Sequence, residues 1–101
     1  MNTVYMLRCR DRSFYIGWTN QFEQRMLRHQ EGTASKYTRS RRPVHCVLRI
    51  TCESAPQARS LEALLKQLNR EEKLALLHDE IRLKETLLRL TGSELAYELF
   101  D

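Results

Sequence analysis

A chain of 101 residues with 42% hydrophobic and 30% charged side chains, three glycines and two prolines suits one globular domain with a modest core, and excludes low-complexity and collagen-like classes. Its longest apolar runs are a few residues, too short for a membrane helix, and Met1-Asn2-Thr3-Val4-Tyr5 lacks the charged and apolar regions of a secretory signal, so a cytoplasmic protein with no membrane partner is expected. The net charge of +4 is uneven: residues 1–52 carry ten Lys or Arg against three Asp or Glu, residues 53–101 carry seven against ten, and no acid lies between Gly32 and Cys52. A one-sided basic surface is the footprint of a polyanion, nucleic acid being the commonest.

Val4-Tyr5-Met6-Leu7-Arg8-Cys9 and Ser13 to Trp18 are rich in strand formers, and the polar Arg10-Asp11-Arg12 between them makes an antiparallel hairpin. A three-residue loop puts Tyr5 and Tyr15 on one face of that hairpin; a two- or four-residue loop puts them on opposite faces. Asn20-Gln21-Phe22-Glu23 reads as a capping box for a helix that runs to about Glu31 and stops at Gly32. Phe22 and Met26 face inward on it, with Arg25 and His29 as i, i+4 neighbours on the edge of the apolar face. Thr33 to Pro43 is a basic loop with one short turn of helix, and Val44 to Cys52 is a third strand. Ser54-Ala55-Pro56-Gln57 starts a helix to Leu68, with Leu61, Leu64, Leu65 and Leu68 on one stripe and Glu62 and Lys66 flanking it. Asn69 caps a further helix, Arg70 to Leu77, with a continuation to Leu90 before Gly92, and Ser93 to Phe100 reads as a last short helix. The expected architecture is an α/β fold: a small three-stranded antiparallel sheet flanked by helices, with a helical C-terminal tail. The tail carries two apolar stripes, Leu74, Leu77, Ile81 and Leu88 on one and Leu83, Leu87 and Leu90 on the other. Such a helix is buried twice, or buried once and offered to a second copy or a protein partner. Cys9, Cys46 and Cys52 form no CxxC pair and read as reduced, mostly buried thiols; their spacing with His29 and His45 does not fit a zinc site.

Thr3-Val4-Tyr5 followed ten residues on by Tyr15-Ile16-Gly17 resembles the paired signature of the GIY-YIG nucleases, with Thr3 and Val4 departing from the first triplet and Tyr5 kept. Gly17-Trp18-Thr19-Asn20, Arg25 and His29 resemble the family's turn into its first helix. Gly32 through Lys36-Tyr37-Thr38-Arg39 to Pro43, and then Glu62 and Lys66, resemble its small stand-alone bacterial branch. The likeness covers about residues 3–78, giving a nuclease-like domain over 1–78 and a helical extension over 79–101.

The resemblance implies an endonuclease that hydrolyses phosphodiesters in DNA, or RNA, selects structure rather than sequence, and serves repair or recombination. It implies one divalent ion, Mg²⁺ or Mn²⁺, held by Glu62; a single carboxylate with waters suits Mg²⁺. Arg25 clamps a phosphate oxygen. Tyr5 acts as base or orienter of the water, which requires cations to lower a phenol pKa that normally lies near 10, and Tyr15 is its hydrogen-bonding partner. His29 orients the water or contacts a phosphate, and Gly17 lets the backbone approach the site. Lys36, Tyr37, Arg39, Arg41, Arg42 and Lys66 contact substrate. Taken singly, these residues also read as strand tyrosines, a helix surface and a Glu62–Lys66 surface ion pair. A second class of function, a nucleic-acid-binding module with weak or no catalysis, uses the same basic loop without the chemistry.

Overall fold

In strand β1 (Asn2–Arg8) five consecutive residues, Thr3 to Leu7, are buried. Successive side chains of a strand alternate between faces, so a run buried throughout needs cover on both sides. The computed structural model, which describes residues 1–100, supplies it. Strand β1 lies between β2 (Phe14–Thr19) and β3 (His45–Cys52), and β3 pairs in turn with β4 (Ala96–Leu99), all antiparallel in the order β2-β1-β3-β4. On one face helix α1 (Phe22–Glu31) and the one-turn α2 (Lys36–Arg39) cover a small cluster built on Tyr5, Leu7, Cys9 and Val44, with Tyr15, Phe22 and Met26 packed against it. On the other face α3 (Ala55–Lys66), α4 (Arg70–His78) and α5 (Glu80–Thr91) bury Ala58, Leu61, Leu65, Leu76, Leu83 and Leu87 against Val4, Met6, Ile16, Leu48 and Ile50.

The sheet has four strands, not the three expected, because the segment read as a last helix is β4. The reason lies in its periodicity. Leu95, Tyr97 and Leu99 are half-buried while Ala96 and Glu98 between them are exposed, a repeat of two that no helix buries on one face. Cross-strand chemistry completes the pairing, since Glu98 sits opposite Arg49 and accepts a hydrogen bond from its guanidinium. The long tail helix is likewise two. Asp79 adopts an extended backbone (φ −136°, ψ 96°), its amide ends α4 on Ala75 O, and its carboxylate caps α5 by accepting from Arg82 N at 3.1 Å. Of the two apolar stripes, Leu83 and Leu87 are core, whereas Ile81 and Leu88 stand in solvent. No helix among the described residues is long and apolar enough to cross a membrane.

The hairpin settles where its tyrosines point. Cys9 N donates to Ser13 O at 2.9 Å, which leaves Arg10-Asp11-Arg12 as a three-residue loop. Arg12 takes the left-handed conformation that such loops need at their last position (φ 68°). Asp11 braces the turn by accepting from both the amide (3.0 Å) and the hydroxyl (2.6 Å) of Ser13. The register then pairs Tyr5 with Gly17 and Leu7 with Tyr15, and both phenols share a face.

Because β4 and α5 join the same core as the N-terminal strands, a chain ended at Asp79 loses Leu83, Leu87 and one sheet edge together. Buried leucines cost about 2–5 kcal/mol each when truncated, against a total stability of about 5–15 kcal/mol. Such a chain is expected to show no cooperative thermal transition by circular dichroism.

Candidate active site

Tyr5 is fully buried, and its position follows from what faces it. Its partner across the ladder is Gly17, and a Cβ placed there would stand 2.5 Å from the Tyr5 hydroxyl and 2.7 Å from the ring carbon that carries it. The phenol therefore lies over bare backbone, and glycine is the one residue that leaves it room. The hydroxyl is 2.8 Å from His29 Nε2, and His29 Nδ1 is 3.0 Å from Thr38 Oγ1. His29 and Thr38 are themselves buried. Thr38 is fixed by α2: Ser35 caps the helix and its Oγ accepts from the Thr38 amide at 3.1 Å. The short turn in the basic loop thus ends a hydrogen-bonded chain Tyr5–His29–Thr38–Ser35, buried up to Thr38.

Burial governs the charges along this chain. It pushes the Tyr5 phenol up to about 12, with Tyr15 adding to the rise; Arg25 beside it opposes the shift and does not cancel it. The expectation that nearby cations bring Tyr5 below its usual value is overturned, because loss of solvent outweighs the guanidinium. Burial also brings His29 down to about 4, helped by Arg25 and Arg28. A neutral imidazole donates at one nitrogen and accepts at the other, so a proton moved along the chain switches both hydrogen bonds. His29 is buried, with Nε2 against the Tyr5 hydroxyl.

Beside this chain a cleft of about 290 Å³ opens at β2, the edge strand of the sheet. Tyr15 and Gly17 line it from β2, Arg25 from α1, Glu62 from α3, and Asn20 from the connection into α1. Asn20 is free to do so because the expected capping box does not form. The helix starts one residue later with Gln21 at its N-cap and no side-chain cap, while Thr19 Oγ1 takes the Gln21 amide at 3.0 Å. Asn20 is the site residue that its own cap signal concealed, and Thr38 is another, hidden in a loop that reads as surface. Among the described residues Glu62 is the one carboxylate in the cleft and Arg25 has no ion-pair partner. Glu62 does pair with Lys66 Nζ, at 3.4 Å, as its spacing allows. That contact is worth a few tenths of a kcal/mol and gives way easily.

The expected substrate contacts divide. Tyr37 stacks on Tyr15 with ring centroids 6.0 Å apart and extends the cleft wall outward. Arg41 lies over the Tyr37 ring at 3.8 Å, bonds Asp11 at 3.0 Å and donates to Tyr37 O at 3.0 Å, so it clasps the loop to the hairpin. Arg42 donates to Arg39 O at 3.0 Å and Gln30 O at 3.1 Å, a second brace. Lys36 and Arg39 are exposed and, among the described residues, unpaired.

The GIY-YIG catalytic domain family matches residues 1–75. The chain belongs to the GIY-YIG family. Its relatives include a UPF0213 protein of Clostridium perfringens, 46% identical over 77 residues that make up 76% of this chain and 83% of that one. A UPF0213 protein of Bacillus velezensis is 38% identical over 90 residues, 89% of this chain and 91% of the relative. The solution structure of a UPF0213 protein from Bacillus halodurans has a similar fold, with a TM-score of 0.52 at 37% identity over 77% of this chain and 84% of its own. The paired triplets of this GIY-YIG domain are two antiparallel strands whose first tyrosine and last glycine face each other directly, so the spacing of the signature is a steric match rather than a pair of independent sites.

Proposed function

We infer that this GIY-YIG domain is a divalent-metal-dependent endonuclease that hydrolyses phosphodiester bonds in DNA and selects its substrate by structure. The observation that carries this reading is one cleft that brings the Glu62 carboxylate, the unpaired Arg25 guanidinium and Tyr15 together over the buried Tyr5–His29–Thr38 chain. The donor set fits a hard ion: the cleft offers the Glu62 carboxylate and the Asn20 side chain, and no histidine or cysteine. One carboxylate leaves most of the shell to water, as Mg²⁺ prefers. Glu62 is the residue that would hold the ion. A bound divalent ion would supply charge neutralisation for the phosphate oxygens and the leaving oxygen.

The protein's own groups do the rest. Arg25 takes a non-bridging phosphate oxygen bidentately. In doing so it leaves the Tyr5 hydroxyl, beside which it stood, open to the attacking water. Tyr5 accepts a proton from that water as it passes its own to His29 Nε2, so no free phenolate forms; the imidazolium this makes is disfavoured by burial, Arg25 and Arg28, and the bound phosphate that draws Arg25 away offsets part of that cost. The His29 proton on Nδ1 is shared with Thr38. Tyr15, held by Tyr37, fixes the far wall. Lys36 and Arg39 add phosphate contacts that carry no sequence information, which is why a domain this small selects shape.

End-labelled flap, Y-shaped and single-stranded DNAs incubated with the purified protein are expected to give discrete cuts in Mg²⁺ or Mn²⁺ and none in EDTA. Cutting that survives EDTA would remove the metal from the account. Binding without cutting in either ion would leave a nucleic-acid-binding module.

A further inference from the structure

A cavity of about 880 Å³ lies away from the cleft, between the tip of the β1–β2 hairpin, helix α4 and the end of β4. Four arginines line it: Arg8, Arg10 and Arg12 from the hairpin and Arg70 from α4. Among the described residues none of the four forms an ion pair. The one acid on the wall, Glu80, accepts a hydrogen bond from the Tyr97 hydroxyl at 2.7 Å. Like charges gathered around one cavity repel each other, and a polyanion is the ligand that relieves this. The same cavity has aromatic surface. Phe14 lies under the Arg70 guanidinium at 5.2 Å, and Phe100 is 41% exposed.

A second space extends from this cavity toward the cleft. This neighbouring space of about 530 Å³ shares Arg12, Phe14 and Arg70 with it, adds Lys73 and Asp11, the latter paired with Arg41, and is bounded on the other side by Tyr37. Tyr37 stacks on Tyr15, which lines the cleft. Cations and aromatic rings therefore recur from the cleft toward Phe100, with Asp11 and Glu80 the two acids between.

We propose that this path is a binding track for an unpaired strand of nucleic acid that leads into or away from the cleft. Guanidinium groups beside the exposed side chains of Tyr37 and Phe100 suit a strand whose bases are free to stack on an aromatic edge or face, whereas a duplex keeps its bases inside and presents only phosphates to such a surface. The longest dimension of the molecule is 35 Å, which at about 3.4 Å per stacked nucleotide limits the track to about ten nucleotides. The direction of the track rests on the nuclease reading, while its affinity for a single strand does not.

The test is fluorescence anisotropy of the full chain with a labelled oligothymidylate of about twelve nucleotides, in EDTA over a range of salt, comparing the wild type, the double variant Arg8→Ala/Arg12→Ala, and Glu62→Ala. Neither arginine side chain makes a hydrogen bond within the protein among the described residues, and a thermal melt of the double variant checks that it stays folded. The double variant is expected to bind at least tenfold more weakly and to lose about 1.4 from the slope of log affinity against log salt, about 0.7 for each phosphate contact. Glu62→Ala is expected to bind at least as tightly as the wild type. Unchanged affinity and slope in the double variant would overturn the track, as would equal affinity for a blunt duplex of the same length. Wild-type binding to phosphatidylserine vesicles in place of the oligonucleotide would overturn it in favour of a membrane surface. If the wild type cuts DNA while the double variant holds the oligonucleotide normally, the track alone fails. If nothing is cut but the arginines still govern binding, the nuclease reading fails and the track stands.

Discussion

Gly17→Ala should reduce DNA cleavage at least a hundredfold, although the substitution adds one methyl group to a strand and removes no functional atom. The added Cβ would lie 2.5 Å from the Tyr5 hydroxyl and 2.7 Å from its ring carbon, far inside contact distance. The ring cannot retreat, because Tyr5 is fully buried with Phe22 and His29 packed against it at centroid distances of 6.2 and 5.5 Å. Either the phenol tilts off His29 or the two strands separate. A displacement of about 1 Å in a catalytic group costs on the order of a hundredfold in rate, and overpacking of this kind costs about 1–3 kcal/mol of stability. Turnover measured beside a thermal melt separates the two effects. A variant that melts a few degrees lower yet retains full turnover would show that the Tyr5 position is not part of the chemistry.

His29→Ala should show two losses with one origin. It leaves the buried Tyr5 hydroxyl without its partner, and removing a positioned proton acceptor typically costs about 10²–10⁴ in rate. It should also abolish a characteristic acid sensitivity. His29 is held down to about 4 in the fold, against about 6.5 when unfolded. Between these values the unfolded chain binds a proton that the folded one refuses, so stability is full above about pH 6.5 and declines as the pH falls toward 4, by up to about 3 kcal/mol. Melting temperatures of the wild type should fall across that window. The variant should start lower and lack this part of the slope, and equal slopes in the two proteins would remove His29 from the account of acid sensitivity.

What the sequence makes legible, and what it hides, follows from the range of the interactions. Helix starts at Ser54 and Asn69 form as read, since a cap is a contact between residues three apart: Ser54 accepts from Gln57 N, and Asn69 and Glu72 close a full capping box. The same signal misleads at Asn20, where Thr19 competes for the next amide. β4 escapes because its alternation is short and its partner, β3, lies more than forty residues earlier. The cleft residues are legible through the likeness to the GIY-YIG signature, not from any one of them alone. Their order of depth is not. Nothing local says that His29 is buried against Tyr5, that Thr38 holds it there, or that Arg41 and Arg42 bind the loop to the hairpin and to α1 rather than facing outward. The direction of the Tyr5 shift was hidden for the same reason, because burial is a property of the whole fold.

The direct test of the central claim is cleavage by Glu62→Ala. The residue sits on a helix flank, 21% exposed and, among the described residues, paired only with Lys66, so its loss should leave the melting temperature within a few degrees of the wild type. The account predicts that the variant still binds the best-cut DNA but makes no Mg²⁺-dependent cuts in it. Cleavage at the wild-type rate by a folded Glu62→Ala protein would contradict it.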